Sequence, residues 1–389
     1  MRPLAFVALL LCWACASAAA PRARDLGVPF DGTPGPLNAI TDVAGVTVGM
    51  TTIIDSQDPA HQVRTGVTAI LPRGPDSVTL PTFAGTFSLN GNGEMTGSHW
   101  IRETGAVEGP VMITNTHAVG AVHSGVIEWV ARNRPDVAAE WLLPVVAETW
   151  DGYLNSINEP FVTSAHAADA IDAASSGPVF EGSCGGGTGM SCYGFKGGNG
   201  TASRIVEFGG HAYTVGVFLQ ANFGDRSEFS INGTPLGDLD VPDPEGSLEW
   251  FVADSSAGRI PGGAGSVIAV VATDAPLIPG QCEALARRVP LGLARTGTTG
   301  GHFSGDIFLA FSTANAGVLD SGFPDAQEEL RSLEMVPWNR LDRFFAAVVH
   351  GVEEAVLNAL VNNATMIGRG GHMSPALPHD LVIERLSSP

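Results

Sequence analysis

A layered α/β sandwich is the architecture this sequence predicts, on three observations. Short apolar runs of strand length recur between glycine turns. Stretches with helical apolar spacing alternate with them in both halves, which points to one entwined domain. The run SVIAVVATDA (266–275) has no polar break until its end, as expected of a strand buried on both faces. With 389 residues, 44% of them hydrophobic, the chain can bury a sizeable core.

Taken in order, VTVGM (46–50) and GVTAILP (66–72) read as strands. THAVGAVHSGVIEWVARN (116–133) has helical spacing and stops before Pro135. WLLPVVAE (141–148) reads as a buried strand, and SAHAADAIDAA (164–174) as a helix with a serine cap. HAYTVGVFLQANFG (211–224) is a long apolar strand with a polar exit. Residues 225–265 are rich in Asp, Gly, Pro and Ser and have little period. A structureless loop of that length is unusual inside a compact domain, so it reads as a mobile linker, as functional, or as both. The strand SVIAVVATDA follows at once. An amphipathic helix around QCEALARRV, a strand DIFLAFST (306–313) and a long helix over 338–363 complete the chain.

The formal net charge is −20, and Lys196 is the only lysine. No basic cluster exists to hold phosphates, which argues against nucleic-acid and anionic-membrane partners. Cationic or amine-bearing ligands suit such a surface better. MRPLAFVALLLCWACASAAA (1–20) has a positive start, a short apolar run and a small-residue ASA site at 16–18. It reads as a signal peptide over 1–18, and the protein as periplasmic or secreted. No later segment reads as long and apolar enough to span a bilayer. Export leaves Cys184, Cys192 and Cys282, an odd number. A Cys184–Cys192 disulfide is open. The histidines are scattered without an HExxH pair, so no metal is implied.

CGGGTGMSCYGFKGGNGT (184–201) lacks the Gly-Lys-Ser/Thr of a phosphate loop, since Lys196 follows Phe195 and precedes two glycines. Its glycines suit close backbone approach to a site or a partner chain. FSLNGNGEMTGSHWI (87–101) gathers Asn90, Asn92, Glu94, Thr96 and His99, either as a polar loop or as a pocket wall. AETWDGYLN (147–155) ends a buried strand with Glu148, Trp150, Asp151 and Tyr153. Glu148 can pair with a substrate amine or hold a loop. Asn222 in QANFG is a turn residue or an oxyanion donor. Ser304 and Asp306, two apart on a strand, share a face and can form a proton relay or a cap. At Gly265–Ser266 a hydroxyl sits beside its own preceding carbonyl. Glycine permits the backbone approach that a self-attack requires.

Nine segments, taken together, resemble one family: NGNGEMTG, GPVMITNTHAVG, PVVAETWDGYLN, GGGTGM, GFKGGNGTASR, LQANFG, GSVIAVVATDAPL, GLARTG and SGDIFLAFSTAN. It is the self-processing L-aminopeptidase/D-amidase-esterase and β-aminopeptidase family, serine peptidases similar to N-terminal nucleophile hydrolases. The resemblance runs from about residue 25 to about 385. It implies a four-layer αββα sandwich, an α chain (19–265, with 225–265 as linker) and a β chain (266–389). Both pieces would share one composite domain over 19–389 and assemble as oligomers of αβ units.

By the same resemblance, cleavage falls between Gly265 and Ser266, and Ser266 is the nucleophile. Asn222 stabilises the oxyanion, Ser304 and Asp306 support the nucleophile, and Glu148 faces the substrate's free amine. Trp150 departs from the tyrosine that family members often carry after Glu-Thr, which puts any role of that phenol in doubt. Ornithine acetyltransferases process themselves similarly, but use threonine in the cytoplasm. The expectation is therefore an exported, self-cleaving serine aminopeptidase or amidase that needs no cofactor. Its substrate would be a small peptide or amino-acid amide. Two alternatives stay open: another amidase or lactamase on this scaffold, and a catalytically silent exported binding protein.

Overall fold

The computed structural model describes residues 21–58, 61–139, 141–247, 250–251, 265–319 and 329–387. The expected signal peptide lies outside them. The chain begins with β1 (Thr47–Asp55), β2 (Val63–Pro75) and β3 (Thr82–Gly91). Next come α1 (Ser98–Thr104), β4 (Ala106–Val107), β5 (Val111–Asn115), α2 (Val119–Asn133), β6 (Val145–Thr149) and α3 (Ser164–Asp172). β7 (Gly198–Phe208) and β8 (His211–Asn222) form a long hairpin. The C-terminal part runs β9 (Gly265–Thr273), α4 (Pro279–Ala286), α5 (Val289–Ala294), β10 (Ser304–Ser312), α6 (Asp342–Val361) and α7 (His379–Ser387).

Two sheets carry the fold, with strand orders β1-β2-β5-β6 and β4-β3-β10-β9-β8-β7. Three apolar clusters define its layers. Val122, Val126, Ala167 and Ile171 of α2 and α3 cover Val67, Ala69, Met112 and Val146 on the outer face of the first sheet. Ile70, Ile113 and Ala147 meet Phe218, Ile268, Val270 and Leu309 between the two sheets. Val217, Leu219, Val267, Val271 and Phe308 pack beneath Leu285, Val289, Phe344, Val348, Val352 and Leu360 of the C-terminal helices. This is the αββα sandwich.

β9 is the middle of it. Val267, Ala269 and Val271 face the helices, while Ile268, Val270 and Ala272 face the other sheet. An apolar strand with both faces buried does not choose its own register, because a one-residue slip still buries apolar groups. Gly265 supplies the missing constraint. A Cβ there would lie 2.5 Å from the Asn222 carbonyl oxygen, so only glycine fits that position. The pairs Asn222–Ser266 on β8 and Ser266–Gly305 on β10 follow. Ser266 thus shares its face with Ile268 and Val270 and looks into the space between the sheets.

Several expectations are corrected. Residues 141–144 are not strand: Trp141 and Leu143 are exposed, and β6 starts after Pro144. The cap of α3 is Thr163, one residue before the serine. QCEALARRV falls across two short helices, with Gln281, Cys282, Leu285 and Ala286 buried rather than one face exposed. Part of 225–265 is packed, not structureless. Phe229, Ile231, Leu236 and Leu239 are buried around a small hairpin (230–231 with 234–235), because four apolar residues are enough to anchor a short polar segment. Residues 252–264 lie outside the described residues. α6 does have the length and apolarity of a membrane span, but 78% of its apolar window is buried as the core helix of the outer layer. Cys184, Cys192 and Cys282 are buried, and no disulfide joins Cys184 to Cys192.

Candidate active site

The ends of β6, β8, β9 and β10 meet at one edge of the sandwich. Ser266 is buried there, 2% exposed. Its Oγ accepts two N–H groups: the backbone N–H of Trp150 at 3.1 Å and the Asn222 side-chain amide at 3.4 Å. The two donors come from opposite sheets, so the layer packing itself sets their convergence. Two N–H groups on one oxygen favour its anionic form and disfavour a competing acceptor.

Asn222 is not free to turn. Its Oδ1 accepts the Ser191 N–H at 3.0 Å, which commits Nδ2 to the serine. Trp150 contributes main chain, not its indole. A backbone N–H is present whatever side chain the position carries, so a tryptophan there leaves this donor intact. The Trp150 ring instead stacks on Trp250, with centroids 6.5 Å apart at 28°. Trp250 also meets Tyr153 at 5.0 Å and His372 at 5.6 Å. An aromatic wall therefore lines the site, and one of its members belongs to the stretch before Gly265. The Tyr153 hydroxyl is engaged by the Met373 carbonyl at 3.2 Å.

Glu148 lies two residues before Trp150, buried at 3% exposure. Its Oε1 accepts the Glu94 N–H at 3.0 Å, and its Oε2 accepts the Thr116 hydroxyl. Burial pushes its pKa up, while those two donors pull it back. A Cβ on Gly93 would lie 3.1 Å from both Glu148 Oε1 and the Gly305 Cα, which puts the carboxylate beside the strand partner of Ser266.

Ser304 and Asp306 do form a pair, with Ser304 Oγ donating to Asp306 Oδ1 at 2.6 Å. Asn90 Nδ2 donates to the other oxygen at 2.8 Å. Burial raises the Asp306 pKa, opposed by Ser304, Asn90 and the Val267 N–H. Their place in the register differs from the simplest expectation. Ser304 and Asp306 pair with Gly265 and Val267, so alternation turns them to the sheet face opposite the Ser266 side chain. Asp306, held by the Ser304 hydroxyl, accepts the Val267 N–H and so braces the main chain just after Ser266.

Of the polar loop, Asn90 and the Glu94 N–H join the site, while Thr96 bonds to Pro144 and Val146 and braces β6. Thr116 and Ser191 were not singled out from sequence. Thr116 directly follows a strand and so shares the strand-end signal that marked Glu148. Among the described residues no group of three or more His, Cys, Asp or Glu could hold a metal ion.

A buried serine lies under two converging N–H donors on the central strand of an αββα sandwich, and that architecture is the Ntn hydrolase fold. The solved structures agree. The L-aminopeptidase D-Ala-esterase/amidase from Ochrobactrum anthropi, described as a variant of the Ntn hydrolase fold, superposes with a TM-score of 0.84 at 45% identity, covering 94% of this chain and 98% of that one. A β-aminopeptidase from Burkholderia sp. gives 0.85 at 42%, with the same coverage. The β-peptidyl aminopeptidase BapA of Sphingosinicella microcystinivorans is 48% identical over 383 residues, spanning 96% of this chain and 94% of that protein. The BapA of Sphingosinicella xenopeptidilytica is 44% identical over 384 residues, spanning 97% and 94%. Residues 38–374 match peptidase family S58, and the chain belongs to that family. It is an aminopeptidase of the Ntn hydrolase fold.

Proposed function

We propose that this chain is an exported serine aminopeptidase that first cuts itself between Gly265 and Ser266. It then releases N-terminal residues from peptides, amides or esters bearing a free amine. The convergence of the Trp150 and Asn222 N–H groups on Ser266 Oγ carries this reading. In the first reaction Oγ adds to the Gly265 carbonyl, the Gly265–Ser266 C–N bond breaks, and water hydrolyses the resulting ester. The new Ser266 amine, with an ordinary pKa of about 7.7–8.0, is then a base beside its own hydroxyl.

In the second reaction the Ser266 amine takes the Oγ proton as Oγ attacks the substrate carbonyl, and the two N–H donors take the charge that develops on the carbonyl oxygen. The leaving amine takes the proton from the Ser266 amine, and water resolves the acyl-enzyme. Glu148 holds the substrate ammonium. Asp306, supported by Ser304, fixes the main chain directly after Ser266, from which the new amine projects. The names of the two Sphingosinicella relatives support a substrate with an N-terminal β-amino acid. The cut pieces stay together as one domain, and the αβ units assemble as a homo-oligomer in the periplasm or outside the cell.

A denaturing gel with N-terminal sequencing tests the reading. The purified protein yields a fragment beginning Ser-Val-Ile-Ala-Val, and Ser266→Ala remains one chain. Cleavage that persists in Ser266→Ala, or an uncut active wild type, refutes it.

A further inference from the structure

Lys196, the only lysine in the chain, is fully buried behind Asn222. Its Nζ donates to the Met190 carbonyl at 2.6 Å and to the Gly197 carbonyl at 2.8 Å. Met190 and Ser191 share one peptide unit. Its C=O is held by the lysine, and its N–H donates to Asn222 Oδ1 at 3.0 Å. The other end of that carboxamide donates to Ser266 Oγ at 3.4 Å. A continuous line of hydrogen bonds thus runs from a cation, through one peptide and one side-chain amide, to the nucleophile. We propose that Lys196 is a positioning residue that orients and polarises the Asn222 amide through the Met190–Ser191 peptide. This rests on the reading of Asn222 as oxyanion donor.

Two physical points support it. First, the carbonyls do not need the lysine. Met190 O also accepts the Gly197 N–H at 2.9 Å, and Gly197 O also accepts Asn363 Nδ2 at 3.1 Å. Satisfying those carbonyls therefore does not by itself account for a buried ammonium at this place. Second, hydrogen bonds in series strengthen one another where the dielectric is low, and a cation at the head of the series makes each successive N–H a better donor. The Ser191 N–H also decides which way the amide faces. Were Asn222 to flip, its oxygen would meet the developing oxyanion and repel it. Burial pushes the Lys196 pKa down to about 7. Glu245, a buried carboxyl itself raised to about 7 by burial, opposes that shift most, followed by Cys184, Asp151 and Cys192.

The test is a double-mutant cycle on processed protein with one amide substrate. Lys196→Met lowers kcat about tenfold to a hundredfold, part of the loss expected for a whole oxyanion donor, and leaves KM within about twofold. In an Asn222→Ala background the same substitution costs nothing further, because its route to the serine is gone. Independent, multiplying losses overturn the proposal. An Asn222→Ala variant with wild-type kcat overturns the oxyanion reading and the proposal with it, so the two failures are told apart by the single and double variants. A second measurement needs no lysine variant. Protein labelled with ¹⁵Nζ-lysine gives a single ammonium resonance. It shifts when a 1-aminoalkylboronic acid forms its anionic tetrahedral adduct on Ser266. An unmoved resonance in the saturated complex overturns the proposal.

Discussion

Replacing Glu148 by glutamine separates a substrate-binding carboxylate from a structural one. The carboxylate is buried, and each oxygen already accepts one hydrogen bond, from the Glu94 N–H and from the Thr116 hydroxyl. Glutamine keeps the volume and can keep one of those bonds, but it offers a substrate ammonium no charge. A hydrogen bond to a charged group contributes about 1.5–3 kcal/mol, so kcat/KM should fall roughly ten- to a hundredfold or slightly more. The assay pairs a free-amine amino-acid ester with the ester of the matching acid that lacks the amine. The loss should fall on the amine substrate alone. Equal losses on both would mean that Glu148 holds the Glu94 and Thr116 segments and does not meet substrate. The pH dependence carries its own sign. Burial raises the Glu148 pKa, so the carboxylate is neutralised on the acid side before an exposed glutamate would be. Below the limb that the Ser266 amine sets for both substrates, the amine substrate should show a further loss that begins above the usual carboxylate range and that the amine-free ester lacks.

Asn222→Ala removes one oxyanion donor, worth about 2.7–4 kcal/mol, and should lower kcat roughly a hundred- to a thousandfold with little change in KM, measured on processed protein freed of precursor. Asp151 is fully buried with its pKa pushed up to about 7 by burial, and its Oδ2 has no hydrogen-bond partner. The folded state therefore keeps a proton that the unfolded state loses near the ordinary value, and stability falls as pH rises between about 4 and 7, by about 4 kcal/mol at most. Asp151→Asn should gain Tm relative to wild type across that window in thermal scans. A gap that narrows with rising pH would contradict the sign. In Gly200→Ala the new methyl would fall 1.9 Å from the Ala355 carbonyl of α6. Forcing strand and helix apart should cost about 1–3 kcal/mol, read as a lower denaturation midpoint.

The sandwich was legible because apolar period survives in each strand and helix. β9 reads as doubly buried, and its side chains do divide between two clusters. Trp141 and Leu143 misled because apolar composition cannot distinguish a buried strand from an irregular stretch ending at Pro144. At the site, the chemical residue types were legible, but their facing was not. Nothing along the sequence reveals that Ser304 and Asp306 register against Gly265 and Val267 rather than against Ser266 itself. The Trp150 N–H was illegible for a deeper reason. A main-chain donor has no letter of its own, and only the approach of two sheets turns it toward the serine. Lys196 was noticed as a failed phosphate loop, because its partners are carbonyls that local sequence does not identify.

Strand order in the larger sheet is β4-β3-β10-β9-β8-β7. A cut before Ser266 would assign the two inner strands to one polypeptide and all four outer strands to the other. The shorter piece would have no free edge, gripped by β3 on one side and β8 on the other. Such a molecule remembers a history. It can be assembled while the chain is whole, when each strand finds its place at the effective concentration of a tether. Once severed and unfolded, it must solve a meeting problem between two molecules, the first of which exposes a gap in its sheet. Refolding yield would then depend on protein concentration in the cut form and not in the uncut form, so that each copy is in practice folded once.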